Sequence, residues 1–193
     1  VWIRETEVGI VVKKFGPRSL GPGQLIALDG ESGYQADTLP PGLHFGFWPW
    51  QYRVTKEPVT VVPQGEIALV VAAGGAAIPA QRILARIVDC DNFQDARKFL
   101  LNGGEKGRQL GVLTAGTYRI NSALFTVIQA GNAQEHCMTP DQFRVHRVKS
   151  DMVGIVTTLD GQPIEATEIA GPSIPGHDNF QNAQAFLNAG GRR

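Results

Sequence analysis

The sequence repeats itself, and the repeats constrain the fold more than any other feature. Three segments share one pattern, a short run rich in β-branched residues that ends in a glycine turn, and they lie at residues 7–16, 66–75 and 152–161. Such a run is typical of a strand that opens a hairpin. A second element, residues 91–100, returns as residues 178–187. A chain with this pattern is expected to form similar structural units in tandem.

The second repeated element predicts a short helix in each copy. Phe93, Ala96 and Leu100 are spaced three and four residues apart, which places them on one face of a helix. An Asp or Asn precedes each copy and a pair of glycines follows it, and these residues commonly begin and end helices. The pattern predicts helices over about 91–101 and about 179–188.

A third element links the first two repeats. Residues 30–44 are matched by residues 104–118, and both contain a glycine that follows Pro or Ala, which marks a tight turn. The segments that follow, 45–54 and 118–128, are rich in aromatic and β-branched residues and are predicted to be strands.

These elements divide the chain into three units. We predict a first unit at 1–64, a second at 65–150 with one helix, and a third at 151–193 with the other helix. The predicted fold class is α+β with β dominant, a tandem array of small antiparallel β units. The third unit stops where the second continues with further repeated residues, so we expect the chain to be a fragment of a longer protein.

The charge balance excludes two classes of partner. Eighteen Lys and Arg residues are matched by eighteen Asp and Glu residues. A general nucleic-acid-binding protein needs an excess of basic residues to release counterions, and a polybasic membrane patch needs the same excess. The sequence therefore argues against nucleic acid as a partner and against membrane binding through a basic patch.

No motif predicts catalysis, a cofactor or a metal. The two cysteines, Cys90 and Cys137, are too few for a disulfide framework, and the neighbouring His136 does not by itself make Cys137 a nucleophile. The four His residues show no metal-ligand spacing. A glycine-rich loop with Lys106 and Arg108 lacks the P-loop pattern, although a loose anion site there stays open.

The segment 45–52 contains two of the three Trp residues. If it is a strand, Phe45 and Phe47 lie on one face, and Trp48, Trp50 and Tyr52 lie on the other. Aromatic residues on both faces fit three situations: a core between packed units, a membrane or subunit interface, or a ligand pocket. The candidate interface residues, including one at the apolar start of the chain, are Trp2, Phe47, Trp48, Trp50 and Tyr52.

Several segments resemble the SPFH or band 7 family of stomatin, prohibitin and flotillin. The resemblance is carried by residues 7–16 and by the Leu-Pro-Pro-Gly-Leu-His-Phe run at 39–45 with the following Pro49. Residues 91–94, 116–121 and 176–180 look most like long bacterial flotillin-like proteins. The Gly-Thr-Tyr turn and strand also look like the stacked repeats of major vault protein.

The resemblance implies a non-catalytic scaffold: a wall segment of a large homo-oligomeric ring or cage that organises a membrane microdomain and its proteins. It also implies a membrane-associated location, at the bacterial inner membrane, with lipid contact through an N-terminal anchor that this sequence does not contain. No stretch approaches the ~20 apolar residues of a membrane span. Two alternatives remain: a soluble vault-like shell protein, and a small-ligand-binding module built on the aromatic segment and the loop of Lys106 and Arg108.

Overall fold

The computed structural model describes residues 1–80 and 82–193. Short strands in small, mostly antiparallel sheets dominate the described residues, in which the α-helices number two. The predicted fold class, α+β with β dominant, is confirmed. Two short 3-10 helices, Ala133–His136 and Pro140–Phe143, follow the last strand.

The strands of the first unit surround one central strand. In chain order they are β1 (Trp2–Ile3), β2 (Glu7–Lys13), β3 (Ile26–Ala27), β4 (Gly33–Gln35), β5 (Gly42–Leu43) and β6 (Tyr52–Pro58). The central strand β2 pairs antiparallel with β4 and with β6. The short β3 extends this sheet by a parallel pairing with β4, and β1 pairs separately with β5.

The second unit repeats this topology. Its strands are β7 (Thr60–Val62), β8 (Ala68–Ala72), β9 (Gly107–Leu113), β10 (Gly116–Tyr118) and β11 (Phe125–Ile128). Here β8 is central and pairs with β9 and β11, while β7 pairs with β10 as β1 pairs with β5. The pairing of β7 places the first strand of the second unit at Thr60, slightly before the boundary that the sequence suggests.

The correspondence between the two units extends to single hydrogen bonds. The side-chain amide of Gln109 donates to the carbonyl oxygens of Glu105 and Gly107, at 2.7 and 2.9 Å. The amide of Gln35 makes the matching pair of bonds in the first unit, each 2.9 Å long. The repeated Gly-Glu-x-Gly-x-Gln sequence is therefore a turn that its own glutamine closes.

The two helices are shorter than the sequence predicts. Helix α1 spans Ala96–Leu101 and helix α2 spans Ala183–Asn188. Their N-caps are Asp95 and Asn182, whose side chains accept hydrogen bonds from backbone N–H groups in the first turn. The N-terminal boundaries near 91 and 179 are wrong because the preceding residues adopt another conformation.

A left-handed turn precedes each helix. Asp91, Asn92 and Phe93 have φ angles of 51°, 50° and 64°, and the equivalent residues of the third unit have 46°, 50° and 65°. Asp and Asn tolerate this region, but a Phe there is strained. In the third unit the backbone N–H of Phe180 donates to Nδ1 of His177 at 2.8 Å, which closes the turn. This turn ends the helical pattern that spacing alone extends to residue 91.

The main core lies in the second unit and includes residues of the first. The rings of Phe93, Phe99 and Phe125 pack against one another with centroid separations of 4.9 to 6.3 Å. Ile26 and Ala36 of the first unit are buried in the same cluster. The two units therefore share this main core.

The third unit reproduces only part of the second. The sequence predicts a strand at 152–158, but the structure has none there, and Val153 and Ile155 are 92% and 93% exposed. The corresponding strand β8 is held by β9 and β11, and no described residues pair with 152–158 in that way. The strand prediction is wrong because an isolated strand has no hydrogen-bonding partner.

One contact of the second unit does recur in the third. Gly75 and Gly161 both have a φ of 127°, and a Cβ on either would collide with a carbonyl oxygen, that of Gly104 or Gly191. The same backbone hydrogen bond lies next to both close approaches. In the second unit the N–H of Ala76 donates to the carbonyl of Gly104 at 2.9 Å. Only glycine fits at both positions, which explains this part of the repeat.

A substitution at Gly104 tests the packing of α1 on this turn. A Cβ at Gly104 would lie 2.5 Å from the ring of Phe99, which is completely buried. We expect Gly104→Ala to lower the free energy of unfolding by about 1–3 kcal/mol through overpacking, as measured by urea denaturation. Gly131→Ala is the control, since a Cβ there has no neighbour within 4 Å. Equal stability of the two variants would contradict this packing.

The buried Glu105 predicts a pH dependence of stability. The Arg82 guanidinium donates to its carboxylate at 2.5 Å and, with the Arg86 backbone N–H, lowers the pKa of Glu105. A carboxyl with a lower pKa in the folded chain stabilises it above the unfolded pKa, and that contribution is lost as the pH falls through the folded value. Glu105→Gln should cost about 1–3 kcal/mol at neutral pH and much less in acid.

Urea denaturation at neutral pH and at a pH below the ordinary range of a glutamate measures this difference. Glu5→Gln is the matched control, because Glu5 is exposed. A cost of Glu105→Gln that is the same at both pH values would show that the ion pair does not stabilise the fold.

Candidate membrane or subunit interface

The five predicted interface residues divide into two groups. Trp2, Trp48 and Trp50 are 58%, 62% and 61% exposed, and they are the only Trp residues of the chain. Phe47 and Tyr52 are partly buried. The predicted set therefore contains three exposed Trp side chains and two partly buried aromatic side chains. We call the two partly buried residues the support.

The strand pair β1–β5 positions Trp2. Trp2 lies opposite Leu43, and the adjacent Ile3 lies opposite Gly42. Because side chains alternate along a strand, Ile3 is buried at 1% exposure while Trp2 faces solvent. Leu43 is also exposed, at 56%, so the pair presents two large apolar side chains side by side.

Phe47 and Tyr52 form the support. Their rings meet edge to face with centroids 5.4 Å apart. Both pack against a small core of the first unit that consists of Ile3, Val11 and Leu39. Their apolar atoms stabilise the first unit, so these two residues contribute less surface to a partner than the three Trp residues do.

The strand predicted at 45–54 forms only from Tyr52, where β6 begins, and residues 44–51 are not a strand. Gly46 has a φ of 85°, and Pro49 has no N–H for a ladder. The carbonyl of Trp48 accepts hydrogen bonds from the N–H groups of Gln51 and Tyr52, at 3.0 and 2.8 Å, which makes a turn. The alternation of faces therefore fails: Phe45 is 82% exposed while Phe47 packs inward.

The turn that carries Trp50 lies against the end of β2. The rings of Trp50 and Phe15 have centroids 5.8 Å apart, and Phe15 is itself half exposed. The side-chain amine of Lys14 donates to the carbonyl of Pro49 at 2.5 Å and fixes the turn to this end of the strand. Phe15 lies outside the segment 45–52 and is therefore not among the residues that the sequence predicts for this interface. The sequence feature that could have identified Phe15 is its position in the glycine turn that ends the first repeated segment, 7–16.

We name the exposed apolar side chains of this region the aromatic surface: Trp2, Phe15, Leu43, Phe45, Trp48 and Trp50. They come from the β1–β5 pair, the 44–51 segment and the end of β2, all within the first unit. None of them carries a charge, so the surface can contact apolar material but offers no group for catalysis or for holding a metal.

The loop of Lys106 and Arg108 is held as a structural turn. The N–H of Lys106 donates to the carbonyl of Ala76, and the carbonyl of Arg108 accepts from Ala85. Both basic side chains are exposed. The equivalent turn of the first unit carries no basic residue, so the loop's shape does not depend on an anion.

Other reactive side chains do not converge. Cys90 and Cys137 are free thiols, and burial raises the pKa of the Cys90 thiol, which favours the unreactive protonated form. Across residues 1–80 and 82–193, no group of three or more His, Cys, Asp and Glu side chains could hold a metal ion.

The sequence matches no family model and no curated protein, and no solved structure matches the fold. Among the described residues, no helix has the length and apolar composition needed to cross a membrane. The function is therefore argued from the site itself.

Two neighbouring aromatic residues should behave oppositely on truncation. Phe47→Ala removes packing from the small core, and we expect it to lower the free energy of unfolding by about 2 kcal/mol. Trp48→Ala removes an exposed side chain and should change stability by about 0.5 kcal/mol or less. Urea denaturation followed by circular dichroism measures both. If Trp48→Ala lowered the free energy of unfolding by clearly more than about 0.5 kcal/mol, Trp48 would belong to the support and not to the aromatic surface.

Proposed function

We propose that this chain is a non-catalytic, membrane-associated scaffold of the SPFH or band 7 kind, a wall segment of a large homo-oligomeric ring or cage. The aromatic surface is the single observation that carries the proposal. It is the part of the first unit that contacts the membrane or an adjacent subunit. The sequence resemblance to flotillin-like proteins supports the same assignment.

The free energy available from this surface is sufficient for docking. Fully burying one large apolar side chain gains about 1.5–3 kcal/mol. Trp2, Trp48 and Trp50 each still expose about three-fifths of their area, so covering them gains several kcal/mol in total. Trp is also the residue most enriched at the boundary between lipid headgroups and hydrocarbon, where its ring is apolar and its N–H can bind water.

The repeat architecture supports an assembly. A unit of this size does not bury all of its apolar residues by itself, since Ile26 and Ala36 of the first unit are buried in the core of the second. The third unit leaves Val153, Ile155 and Leu159 more than four-fifths exposed. Exposed apolar area of this extent is typical of a surface that another element or another subunit covers.

The charge of the chain limits how it can contact a membrane. Its formal net charge is zero, and the aromatic surface contains no basic residue. We therefore expect insertion of aromatic side chains rather than attraction to anionic lipid to drive binding. Binding should accordingly depend weakly on salt and on the fraction of anionic lipid.

Tryptophan fluorescence tests the proposal directly, because all three Trp residues lie in the aromatic surface. We expect the emission of the chain to shift to shorter wavelength on addition of phosphatidylcholine vesicles, and the protein to float with them in a density gradient. Trp48→Ser/Trp50→Ser should weaken vesicle binding at least about tenfold. Val153→Ser/Ile155→Ser, which removes apolar groups that are even more exposed but lie in the third unit, is the control.

Analytical ultracentrifugation separates the alternatives. A blue shift that depends on protein concentration, with higher mass and without flotation, would support a soluble vault-like shell instead. A chain that stays monomeric and neither floats nor shifts its emission would overturn both assembly proposals. Binding lost equally in both double variants would show that the aromatic surface is not the contact.

A further inference from the structure

A cavity of about 660 Å³ lies between the second and third units. Its apolar wall includes Leu84, Leu110 and Leu187. Its polar wall includes the guanidinium groups of Arg82 and Arg86. This volume is in the range of pockets that hold small organic ligands.

The junction between the first and second units provides a reference, because it shows which side chains surround the corresponding cavity where no ligand is proposed. The two junctions correspond, because Ala27 and Ala85 occupy equivalent places in their own units. Each makes a parallel bridge to the glutamine of its turn and accepts a 3.0 Å hydrogen bond from the residue after that glutamine. The first junction has a cavity of about 260 Å³ with apolar side chains around it, including Leu28. The residue at the position of Leu28 in the second junction is Arg86.

The turn at this junction does not need the Arg86 side chain. Glu105 is buried and accepts hydrogen bonds from the Arg82 guanidinium at 2.5 Å and from the Arg86 backbone N–H at 2.9 Å. The corresponding carboxylate of the first unit, Glu31, accepts a hydrogen bond from the backbone N–H of Asp29 at 2.9 Å. The turn of the first unit therefore forms with Leu28 at the position that Arg86 occupies in the second.

This region has three guanidinium groups, those of Arg82, Arg86 and Arg193, and two carboxylates, those of Glu105 and Asp160. Glu105 pairs with Arg82 at 2.5 Å, and Nε of Arg86 lies 3.7 Å from the same carboxylate. Asp160, in the cavity wall, accepts backbone N–H bonds from Leu84 and Gly161. These side chains therefore carry one more positive than negative charge, and Arg86 lines a cavity that also has an apolar wall.

We propose that this cavity binds an organic anion, a phosphate monoester with an apolar body. The anionic group pairs with Arg86, which lines the cavity and whose side chain is 62% exposed. Guanidinium groups match phosphate oxygens in a bidentate geometry. The apolar body lies against Leu84, Leu110 and Leu187. This site goes beyond the scaffold function and uses none of the aromatic surface.

Isothermal titration calorimetry with 1-naphthyl phosphate tests the proposal. We expect saturable binding to the full chain, at least about tenfold weaker binding by the neutral 1-naphthol, and weaker binding by inorganic phosphate. Arg86→Leu, which installs the residue of the first junction, should weaken 1-naphthyl phosphate binding at least about tenfold. Arg53→Leu removes the same charge from an exposed position of the first unit and is the control.

Circular dichroism and the urea midpoint establish that Arg86→Leu folds. Absence of saturable binding by the unmodified chain, or equal affinity of Arg86→Leu and the unmodified chain, would overturn the proposal. Equal affinity for 1-naphthol would overturn the assignment of an anion. Trp48→Ser/Trp50→Ser should bind 1-naphthyl phosphate normally, so failure of the scaffold function and failure of this site are distinguishable.

Discussion

The buried amide of Asn121 is the interaction on which the arrangement of the first two units depends. It donates at 3.0 Å to the backbone carbonyls of both Gln35 and Ala36, and the residue is completely buried. A buried carbonyl without a hydrogen-bond donor costs about 1–3 kcal/mol. The Asn121 side chain supplies a donor to two such carbonyls at the junction. Beside it, Arg97 pairs with Asp37 through two hydrogen bonds, at 2.9 and 2.6 Å. These bonds join the first unit to the second beside the point where Ala36 is buried in the shared core.

The features that the units share form the framework of the fold, and the two proposed sites lie where the units differ. The glutamine-closed turn and the left-handed Asp-Asn-Phe turn each appear twice with the same backbone bonds. The first unit differs by its 44–51 segment, which carries exposed aromatic side chains where the second unit has none of comparable size. The second junction differs by Arg86 in place of Leu28. Both proposals rest on these departures, because a shared feature is explained by the shared fold.

The two proposed sites make different demands on the chain. The aromatic surface needs only the first unit and its small core under Phe47. The cavity needs the third unit to lie against β9, which a bond from the N–H of Leu84 to Asp160 at 3.2 Å helps to hold. A scaffold that docks through its first unit could therefore keep a ligand site at its second junction. The two surfaces share no residue, so each can be removed without the other.

Local spacing in the sequence determined the repeats, the β-dominant class, the glycine turns and the presence of a helix in each of the last two units. These features depend on neighbouring residues, so the sequence reports them directly. Tertiary structure decided where α1 starts, because the strained φ of Phe93 is held by the surrounding core. It also decided that Phe47 is covered while Phe45 is exposed, and that residues 152–158 form no strand. Pairing partners and burial come from distant parts of the chain, and a periodic pattern carries no information about whether those parts are in place.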